Sequence, residues 1–358
     1  MSISTFYKGK KVLVTGDTGF KGSWLALWLS HMGAEVYGLA NDEGHPRGLF
    51  QLCGLKEKIT HYAADITDYS AMADIFKKVE PEIVFHLAAQ PIVQRSYVEP
   101  RETIEVNVMG TVNILECLRD SGVRAAIMVT SDKCYDNTGE FWGYRESDPL
   151  GGSDPYSSSK ACCELVTNAY AQSFNQNQAM GIATVRSGNV VGGGDWGELR
   201  LIPDIIKAIE TNGTLSIRNP LSTRPWQHVL DSLHGYLMLA QELYQQPQKF
   251  GGAWNFGPSA AHSYTVKEVV EEAYAVCEIP YKLCVEEGQF KEMKLLSLDS
   301  TKANIMLNWR PKLSFKQMIT LTVDWYRRSD STDILQLCLE QIELYHTESL
   351  PQKQELFI

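Results

Sequence analysis

The feature that most constrains this chain is a glycine loop set between a strand and a helix. The stretch VTGDTGFKGSW carries Gly16, Gly19 and Gly22 in a G-x-x-G-x-x-G spacing, after the apolar run KKVLV and before an apolar helical pattern. Glycines there let the backbone approach a pyrophosphate closely, and the helix N-terminus adds free N–H groups and partial positive charge. The alternative, a glycine-rich turn that binds nothing, is disfavoured by this strand-to-helix context. The loop therefore predicts a dinucleotide site in a βαβ unit.

Strand and helix patterns alternate through the first half of the chain. Short apolar runs separated by helices, including helices at about 102–121 and 154–175, are typical of parallel strands covered on both faces. The chain is therefore predicted to be an α/β protein, with a Rossmann-type doubly wound parallel sheet and a smaller, interleaved C-terminal domain. The predicted strands are KKVLVTG, EVYGLA, THYAAD, EIVFHLA, RAAIMVTS, GIATVRSG and WNFGPS.

The pattern loosens after about residue 188, which suggests a second domain. We expect residues 1–188 to form the dinucleotide-binding domain, with a return segment at about 227–257. We expect 189–226 and 258–358 to form the substrate-binding domain, mostly helical over 262–345.

Charge, hydropathy and cysteine usage disfavour several classes of protein. The formal net charge of −10, from 33 Lys+Arg and 43 Asp+Glu, argues against binding to nucleic acid or to a membrane surface. No apolar run approaches the roughly 20 residues of a membrane span, and no secretory h-region is expected. Eight cysteines without a C-x-x-C pair predict buried free thiols in a reducing cytoplasm. The histidines show no paired-ligand spacing, so we expect no metal.

Residues at the ends of later strands are candidate cofactor contacts. Asp42, in LANDEG, is the acidic residue expected about 20 residues beyond the loop, and Asn41 is the alternative. Because Arg47 lies nearby, NADP stays open beside NAD. The other candidates are Phe20 in the loop, Asp65 and Ile66 after the third strand, and Leu87, Ala88 and Ala89 after the fourth.

The stretch DPYSSSK places Tyr156 and Lys160 on one face of a helix, close to its start. A phenol with a pKa of about 10 is a poor base at neutral pH. We expect the lysine ammonium and a positively charged nicotinamide to lower that pKa, and the lysine also to hold ribose hydroxyls. A surface tyrosine and lysine is the alternative, but the glycine loop favours a catalytic pair.

The stretch TSDKCYDN puts Asp132 and Lys133 where the apolar strand RAAIMV ends. In a doubly wound sheet, ligands bind outside the carboxyl ends of the strands. Two opposite charges at that place favour chemistry over the alternative, a plain ion pair on the surface.

Four motifs in this order, TGxxGFxG, HLAAQ, TSDKCY and YSSSK, resemble the extended short-chain dehydrogenase/reductase family. The stretches GNVVGGGDW, RNPLSTRPWQHVLD and LDSTKANIMLNWRP resemble the nucleotide-sugar 4,6-dehydratases, most closely those that act on CDP-glucose. The resemblance runs from about residue 5 to about 330. It implies NAD as cofactor, a nucleotide-sugar substrate, and deoxysugar biosynthesis of the O-antigen type. It also implies a homodimer or homotetramer that associates through the Tyr156 helix and the helix at about 102–121.

A 4,6-dehydratase passes hydride from carbon 4 of a hexose to NAD, eliminates water across carbons 5 and 6, and returns hydride to carbon 6. The resemblance makes Tyr156 the base for the carbon-4 hydroxyl and Ser131 a hydrogen-bond donor to its oxygen. Asp132 would then be the acid for the carbon-6 hydroxyl, and Lys133 the carbon-5 base. Related dTDP-glucose dehydratases carry glutamate where Lys133 stands, so the identity of that base stays open.

The substrate diphosphate needs cations and N–H donors. Arg224 and Asn189 resemble family residues that meet it. Arg200, Arg218 and Gln227 are further candidates, although Arg200 and Arg218 are equally consistent with solvated surface arginines. Trp226 and Trp309 are interpreted as packing residues, and His86 as a structural histidine.

Two other functions remain open. A sugar 4-epimerase or decarboxylase of the same fold needs no second acid–base pair, so Asp132 and Lys133 argue against it. A non-catalytic cofactor-sensing protein is a different class on this fold, and the intact Tyr156 and Lys160 argue against that.

Overall fold

The structure, a computed structural model, describes residues 2–175, 180–258, 263–286 and 295–347. The strands are β1 (Lys11–Thr15), β2 (Glu35–Ala40), β3 (Thr60–Ala63), β4 (Ile83–His86), β5 (Ala125–Val129), β6 (Gly181–Ser187), β7 (Val190–Val191), β8 (Leu215–Ile217), β9 (Thr223–Arg224), β10 (Gln227–His228), β11 (Gly252–Phe256), β12 (Tyr264–Thr265) and β13 (Leu283–Val285).

Helices connect and cover these strands. They are α1 (Ile3–Tyr7), α2 (Phe20–His31), α3 (Leu49–Leu52), α4 (Tyr69–Val79), α5 (Val93–Val98), α6 (Pro100–Ile104), α7 (Gly110–Arg119), α8 (Pro155–Phe174), α9 (Leu201–Glu210), α10 (Val229–Gln245), α11 (Pro247–Phe250), α12 (Val266–Val276), α13 (Thr301–Met306), α14 (Phe315–Arg328) and α15 (Ile334–Thr347). A π-helical turn at Glu105–Met109 joins α6 to α7, and short 3₁₀ helices lie at Leu55–Glu57 and Asp132–Cys134.

Seven parallel strands form the central sheet, in the order β11-β6-β5-β4-β1-β2-β3. The strand order reverses between β1 and β4, which opens a crevice at the carboxyl ends of those strands. The predicted doubly wound fold is confirmed, and each strand of this sheet coincides with a predicted apolar run. The prediction from the run WNFGPS is the least accurate, because β11 starts before this run and ends at Phe256. Ser259, the last residue of the run, lies outside the described residues.

Apolar layers cover both faces of this sheet. One face packs against α2 and α10, and the other against α4 and α7. Every residue of α2 from Gly22 to Leu29 is buried, because the helix lies between the sheet and the C-terminal helix α15. Trp28 of α2 meets Tyr345 of α15 edge to face at 5.8 Å. The helix that bears the glycine loop is thereby held rigidly from both sides.

The segment 227–257 returns to the sheet, since α10 packs on it and β11 pairs with β6. Three small strand pairs lie outside the central sheet: β7 with β10, which is the start of this segment, β8 with β13, and β9 with β12. The described residues of the 262–345 tail, 263–286 and 295–345, are largely helical as predicted, with β12 and β13 as additions.

All eight cysteines are free thiols, as expected. The expectation that they are buried is wrong for three of them, because Cys284 is exposed and Cys162 and Cys277 are half-buried at the surface of their elements. In the described parts of the chain, no helix has the length and apolarity needed to cross a membrane.

Candidate active site

A cleft of about 1720 Å³ opens at the carboxyl ends of the parallel strands. It receives side chains from the glycine loop, from the ends of β2 to β5 and from the start of α8. All residues predicted to bind cofactor or to act in catalysis line this one cleft: Gly16, Gly19, Phe20, Gly22, Asn41, Asp42, Asp65, Ile66, Leu87, Ala88, Ala89, Ser131, Asp132, Lys133, Tyr156 and Lys160.

The glycine loop has the shape that a diphosphate requires. Gly16 has a φ of +74°, and a Cβ there would come within 2.8 Å of the Ala88 nitrogen. A Cβ on Gly22 would lie 1.9 Å from the Gly16 carbonyl oxygen, so only glycine allows α2 to start this close to β1. Gly19 is the N-cap of α2, which leaves the N–H groups of the first turn facing the cleft. This cradle at a helix N-terminus fits the diphosphate of a dinucleotide.

The acidic residue after β2 is tied to the glycine loop. Thr18 donates a 2.8 Å hydrogen bond to Oδ1 of Asp42. Asn41, the alternative candidate, donates instead to Oδ2 of Asp65 at 2.9 Å. The two candidates therefore lie together but have different partners.

Arg47 does not line this cleft. Its guanidinium pairs with Glu210 at 2.6 Å and stacks over the Trp196 ring at 4.1 Å. The cation that would accommodate a 2′-phosphate is thus held elsewhere, which favours NAD over NADP.

The end of β4 is organised by a buried histidine. His86 Nδ1 lies 2.8 Å from the Thr15 hydroxyl oxygen, and that oxygen accepts from the backbone N–H groups of Leu87 and Ala88 at 3.1 and 3.0 Å. Burial lowers the pKa of His86 to about 3, so the ring is neutral. The prediction of a structural role for His86 is confirmed.

Asp132 is buried at the end of β5, with 3% of its surface exposed. Its Oδ1 accepts a 2.9 Å hydrogen bond from the Ser131 hydroxyl, and its Oδ2 has no partner among the described residues. Burial raises the pKa of this carboxyl, against the opposing charge of Lys133. Because Asp132 is buried, the alternative of a plain surface ion pair is wrong. Lys133 lines the same cleft and is half-buried.

Tyr156 and Lys160 lie in the first turns of α8, where the Asp154 side chain caps the helix by accepting from the Ser157 N–H at 2.9 Å. Burial raises the pKa of the Tyr156 phenol above its ordinary value, and a hydrogen bond with Ser131 opposes that shift. The expected lowering of this pKa by the Lys160 ammonium together with a bound nicotinamide stays a prediction. The Lys160 ammonium donates to the Val129 carbonyl at 3.4 Å, and burial lowers its own pKa.

Asn107 is a positioning residue that the sequence pattern did not single out. It lies in the π-helical turn, accepts from the Gln90 N–H at 2.8 Å and donates to the Ser159 hydroxyl at 2.8 Å. Ser159 in turn donates to the Tyr156 carbonyl at 2.7 Å. Asn107 thus fixes the loop after β4 against the start of α8. An asparagine inside the apolar helical run EVNVM is the one signal that pointed to it.

Four of the five predicted substrate residues line the cleft: Asn189, Arg200, Arg218 and Arg224. Arg200 is held by both carboxylate oxygens of Asp195, at 2.9 and 2.8 Å. Arg224 donates to the Thr223 carbonyl at 2.8 Å. The positive charge of its guanidinium acts to lower the pKa of Asp132, against the effect of burial.

The prediction that the fifth residue, Gln227, binds the substrate is wrong. It is 2% exposed and does not line the cleft. Its side-chain amide donates to the Phe256 carbonyl at 2.7 Å, which links β10 to the end of β11. The strand pairing of β10 turns this side chain into the core, so its role is structural. Trp226 and Trp309 are buried, as interpreted from the sequence.

A doubly wound sheet whose glycine loop shares a cleft with a Tyr-x-x-x-Lys helix defines a short-chain dehydrogenase/reductase. The family described as GDP-mannose 4,6 dehydratase matches residues 13–322. The chain belongs to this family of nucleotide-sugar dehydratases in the extended short-chain dehydrogenase/reductase class.

Curated relatives agree with this assignment. The chain is 45% identical over 329 residues to CDP-glucose 4,6-dehydratase of Salmonella typhimurium, an alignment that covers 90% of this chain and 92% of that protein. It is 25% identical over 350 residues to dTDP-glucose 4,6-dehydratase 1 of Escherichia coli, covering 88% and 92%.

Among solved structures, a dTDP-glucose 4,6-dehydratase of Streptomyces venezuelae with NAD bound matches with a TM-score of 0.77 at 25% identity, over 90% of this chain and 99% of that one. UDP-glucose 4-epimerase of Thermotoga maritima has a TM-score of 0.79 at 23% identity, covering 89% and 99%, a likeness of fold alone.

Proposed function

We propose that this protein is an NAD-dependent hydro-lyase that converts CDP-glucose to CDP-4-keto-6-deoxyglucose and water. The observation that carries the proposal is Asp132, a buried acid with a raised pKa and one oxygen open, in the same cleft as Tyr156 and the glycine loop. A dehydratase needs such an acid in addition to the oxidising tyrosine. The CDP-glucose 4,6-dehydratase relative at 45% identity supports the choice of cytosine nucleotide.

The first step removes the proton of the carbon-4 hydroxyl. Tyr156 takes that proton, and Ser131, hydrogen-bonded to it, orients the same oxygen. NAD, held by the glycine loop and Lys160, would supply the hydride acceptor for carbon 4 and the hydride donor for carbon 6. Lys160, buried beside Tyr156, contributes the positive charge that holds ribose hydroxyls.

The second step eliminates water. Asp132 in its protonated form donates a proton to the departing carbon-6 hydroxyl, and burial, which raises the pKa of its carboxyl, favours that form. Lys133 removes the carbon-5 proton, which the carbon-4 ketone has made acidic. When hydride returns to carbon 6, Lys133 returns its proton to carbon 5. The proton that Tyr156 took from the carbon-4 hydroxyl replaces the one that Asp132 gave to the departing water, and the enzyme is restored.

The substrate handle is proposed to lie on 189–226 and 258–358, with the dinucleotide on 1–188 and the return segment. Arg224 and Asn189 would contact the diphosphate, and Arg200 and Arg218 would lie at its flanks. Each of the four lines the cleft, and three of them carry the positive charge that a diphosphate needs.

The test is turnover of CDP-, dTDP- and GDP-glucose by the purified protein with NAD, followed by detection of a 4-keto-6-deoxy product. The proposal expects that product, with CDP-glucose turned over fastest. A product epimerised at carbon 4 would make the protein an epimerase. NAD binding without turnover of any of the sugars would favour the cofactor-sensing alternative.

We also propose that two copies associate through the helices around Asn107 and Tyr156. Apolar side chains there face solvent: Ile104 is 40% exposed, Met109 49%, Leu165 58% and Phe174 51%. Burying such a patch against a second copy would stabilise a dimer. Light scattering of the purified protein, compared with a Leu165→Glu variant, tests this. The eight free thiols support work in the cytoplasm, in a route to deoxysugars of the O-antigen type.

A further inference from the structure

A buried pair of one aspartate and one histidine lies beneath the glycine loop, outside the set of residues that line the cleft. Asp17 stands between Gly16 and Thr18 and has no exposed surface. Its Oδ2 lies 2.7 Å from Nδ1 of His61, whose side chain is 9% exposed on β3. Oδ1 of Asp17 is buried without a hydrogen-bond partner in the described residues.

The surrounding strands make a specific space for this carboxyl. A Cβ on Gly38 of β2 would lie 2.0 Å from Asp17 Oδ2, so any larger residue there would expel the carboxyl. On the far side, the Phe50 ring packs on the His61 ring at 5.2 Å. Three separate elements thus enclose one carboxyl and one imidazole directly under the loop.

This arrangement has an electrostatic consequence for the loop. The loop's N–H groups are placed for the negatively charged diphosphate of NAD. A carboxylate one residue away, shielded from water, would repel that diphosphate. His61 both hydrogen-bonds to the Asp17 carboxyl and opposes the rise in its pKa that burial causes. If the pair shares one proton, its net charge is zero whichever group carries that proton.

We propose that His61 is a positioning residue for NAD binding: by sharing a proton with Asp17, it removes negative charge from beneath the diphosphate and holds the loop in its binding shape. The proposal rests on the NAD site of the proposed function but not on the sugar substrate. Burial, which raises the pKa of Asp17, supports it, because the buried carboxyl favours a state with the proton present.

The experiment is calorimetric titration of the cofactor-free protein with NAD at about pH 8. In His61→Gln the new side chain can still donate a hydrogen bond to Asp17, but it cannot take up a proton and neutralise the carboxylate. The variant should therefore bind NAD more weakly, on the order of tenfold. Adding Asp17→Asn to that variant removes the charge that His61 no longer neutralises, and should restore the affinity. His31→Gln, at the exposed end of α2, is the matched control and should bind as the wild type does.

Two results would overturn the proposal. One is wild-type affinity in His61→Gln. The other is a double variant that binds as weakly as His61→Gln alone, which would show that the histidine acts only through packing. If His61→Gln does not fold, the single variant Asp17→Asn tests the proposal. It should bind NAD at least as tightly as the wild type, and weaker binding would contradict the proposal. Because only NAD binding is measured, failure of CDP-glucose turnover would leave this result standing.

Discussion

Arg186 and Glu164 form a bidentate ion pair beneath the catalytic residues, with both side chains 3% exposed. Nε donates to Oε1 at 2.9 Å and Nη2 to Oε2 at 2.8 Å. Glu164 lies on α8, one turn beyond Lys160, and Arg186 on β6, so the pair fixes the catalytic helix to the sheet. Arg186 also donates to the Tyr135 hydroxyl at 2.7 Å, which extends the network to the loop after Asp132.

Arg186→Met should therefore destabilise the fold strongly, because it leaves the Glu164 carboxylate buried without its partner. We expect a loss of about 3–5 kcal/mol in the free energy of unfolding. Arg145→Met is the control: its guanidinium pairs with Asp299 at 3.0 Å but is 70% exposed, so the loss should stay within about 1 kcal/mol. Denaturant unfolding measures both, and equal losses would mean that burial of the pair is irrelevant.

Tyr156→Phe should abolish oxidation at carbon 4, because no group then takes the hydroxyl proton. Stopped-flow absorbance should show no transient NADH when CDP-glucose is added. Tyr170→Phe changes another tyrosine of α8 whose hydroxyl donates to Glu116, and it should leave the transient intact. A normal NADH transient in Tyr156→Phe would remove the assigned role.

Lys133→Met should separate the chemical steps. Oxidation uses Tyr156 and Lys160 and should survive, while removal of the carbon-5 proton should fail. The variant should accumulate enzyme-bound NADH and exchange little solvent deuterium into carbon 5, and Lys77→Met, an exposed lysine of α4, should behave as the wild type. Exchange at the wild-type rate would show that Lys133 is not the base. Loss of the oxidation as well would assign it a structural role beside Asp132.

Arg224→Ala should weaken binding of the nucleotide by the loss of a charge-assisted contact to phosphate. We expect a loss on the order of 2 kcal/mol in calorimetric titration with CDP. Arg145→Ala, which changes an exposed arginine, serves as control. Unchanged affinity for CDP in Arg224→Ala would move the diphosphate site elsewhere in the cleft.

Asp231 should make stability fall as the pH rises. It is fully enclosed by α10, α15 and the segment before α14, and accepts from the Lys312 N–H at 2.7 Å and the Tyr345 hydroxyl at 3.0 Å. Burial raises the pKa of Asp231 to about 7, above the about 3.9 of an unfolded chain. The native state then binds more protons than the unfolded state between these values, so this group lowers stability as the pH rises from about 4 through 7.

Asp231→Asn removes that proton equilibrium. Relative to the wild type, the variant should gain on the order of 2 kcal/mol in unfolding free energy between about pH 5 and pH 8. Buried histidines such as His228 are present in both proteins, so their contribution to the pH dependence cancels in the difference between the two unfolding free energies. A difference that does not change with pH would show that Asp231 is ionised throughout.

Local patterns in the sequence were sufficient for the central fold. The hydrophobic period, the length of an apolar run and the turn residues at its ends depend only on residues close together in the sequence. These features predicted every strand of the large sheet and the helices α2 and α8. Topology then followed from general rules for parallel sheets. Because such sheets gather ligands at the strand ends, Gly16, Asp132 and Tyr156 could be assigned to one cleft without coordinates.

Burial and long-range pairing were decided only by the tertiary structure. Gln227 looked like a cleft residue by its neighbours, yet the pairing of β7 with β10 turns it into the core. Burial raises the pKa of the Tyr156 phenol, and this desolvation depends on everything packed around the phenol, which the helix spacing does not show. The partnership of Asp17 with His61 joins residues 44 positions apart. Such effects depend on which distant segments exclude water from a group, and no local pattern of residues carries that information.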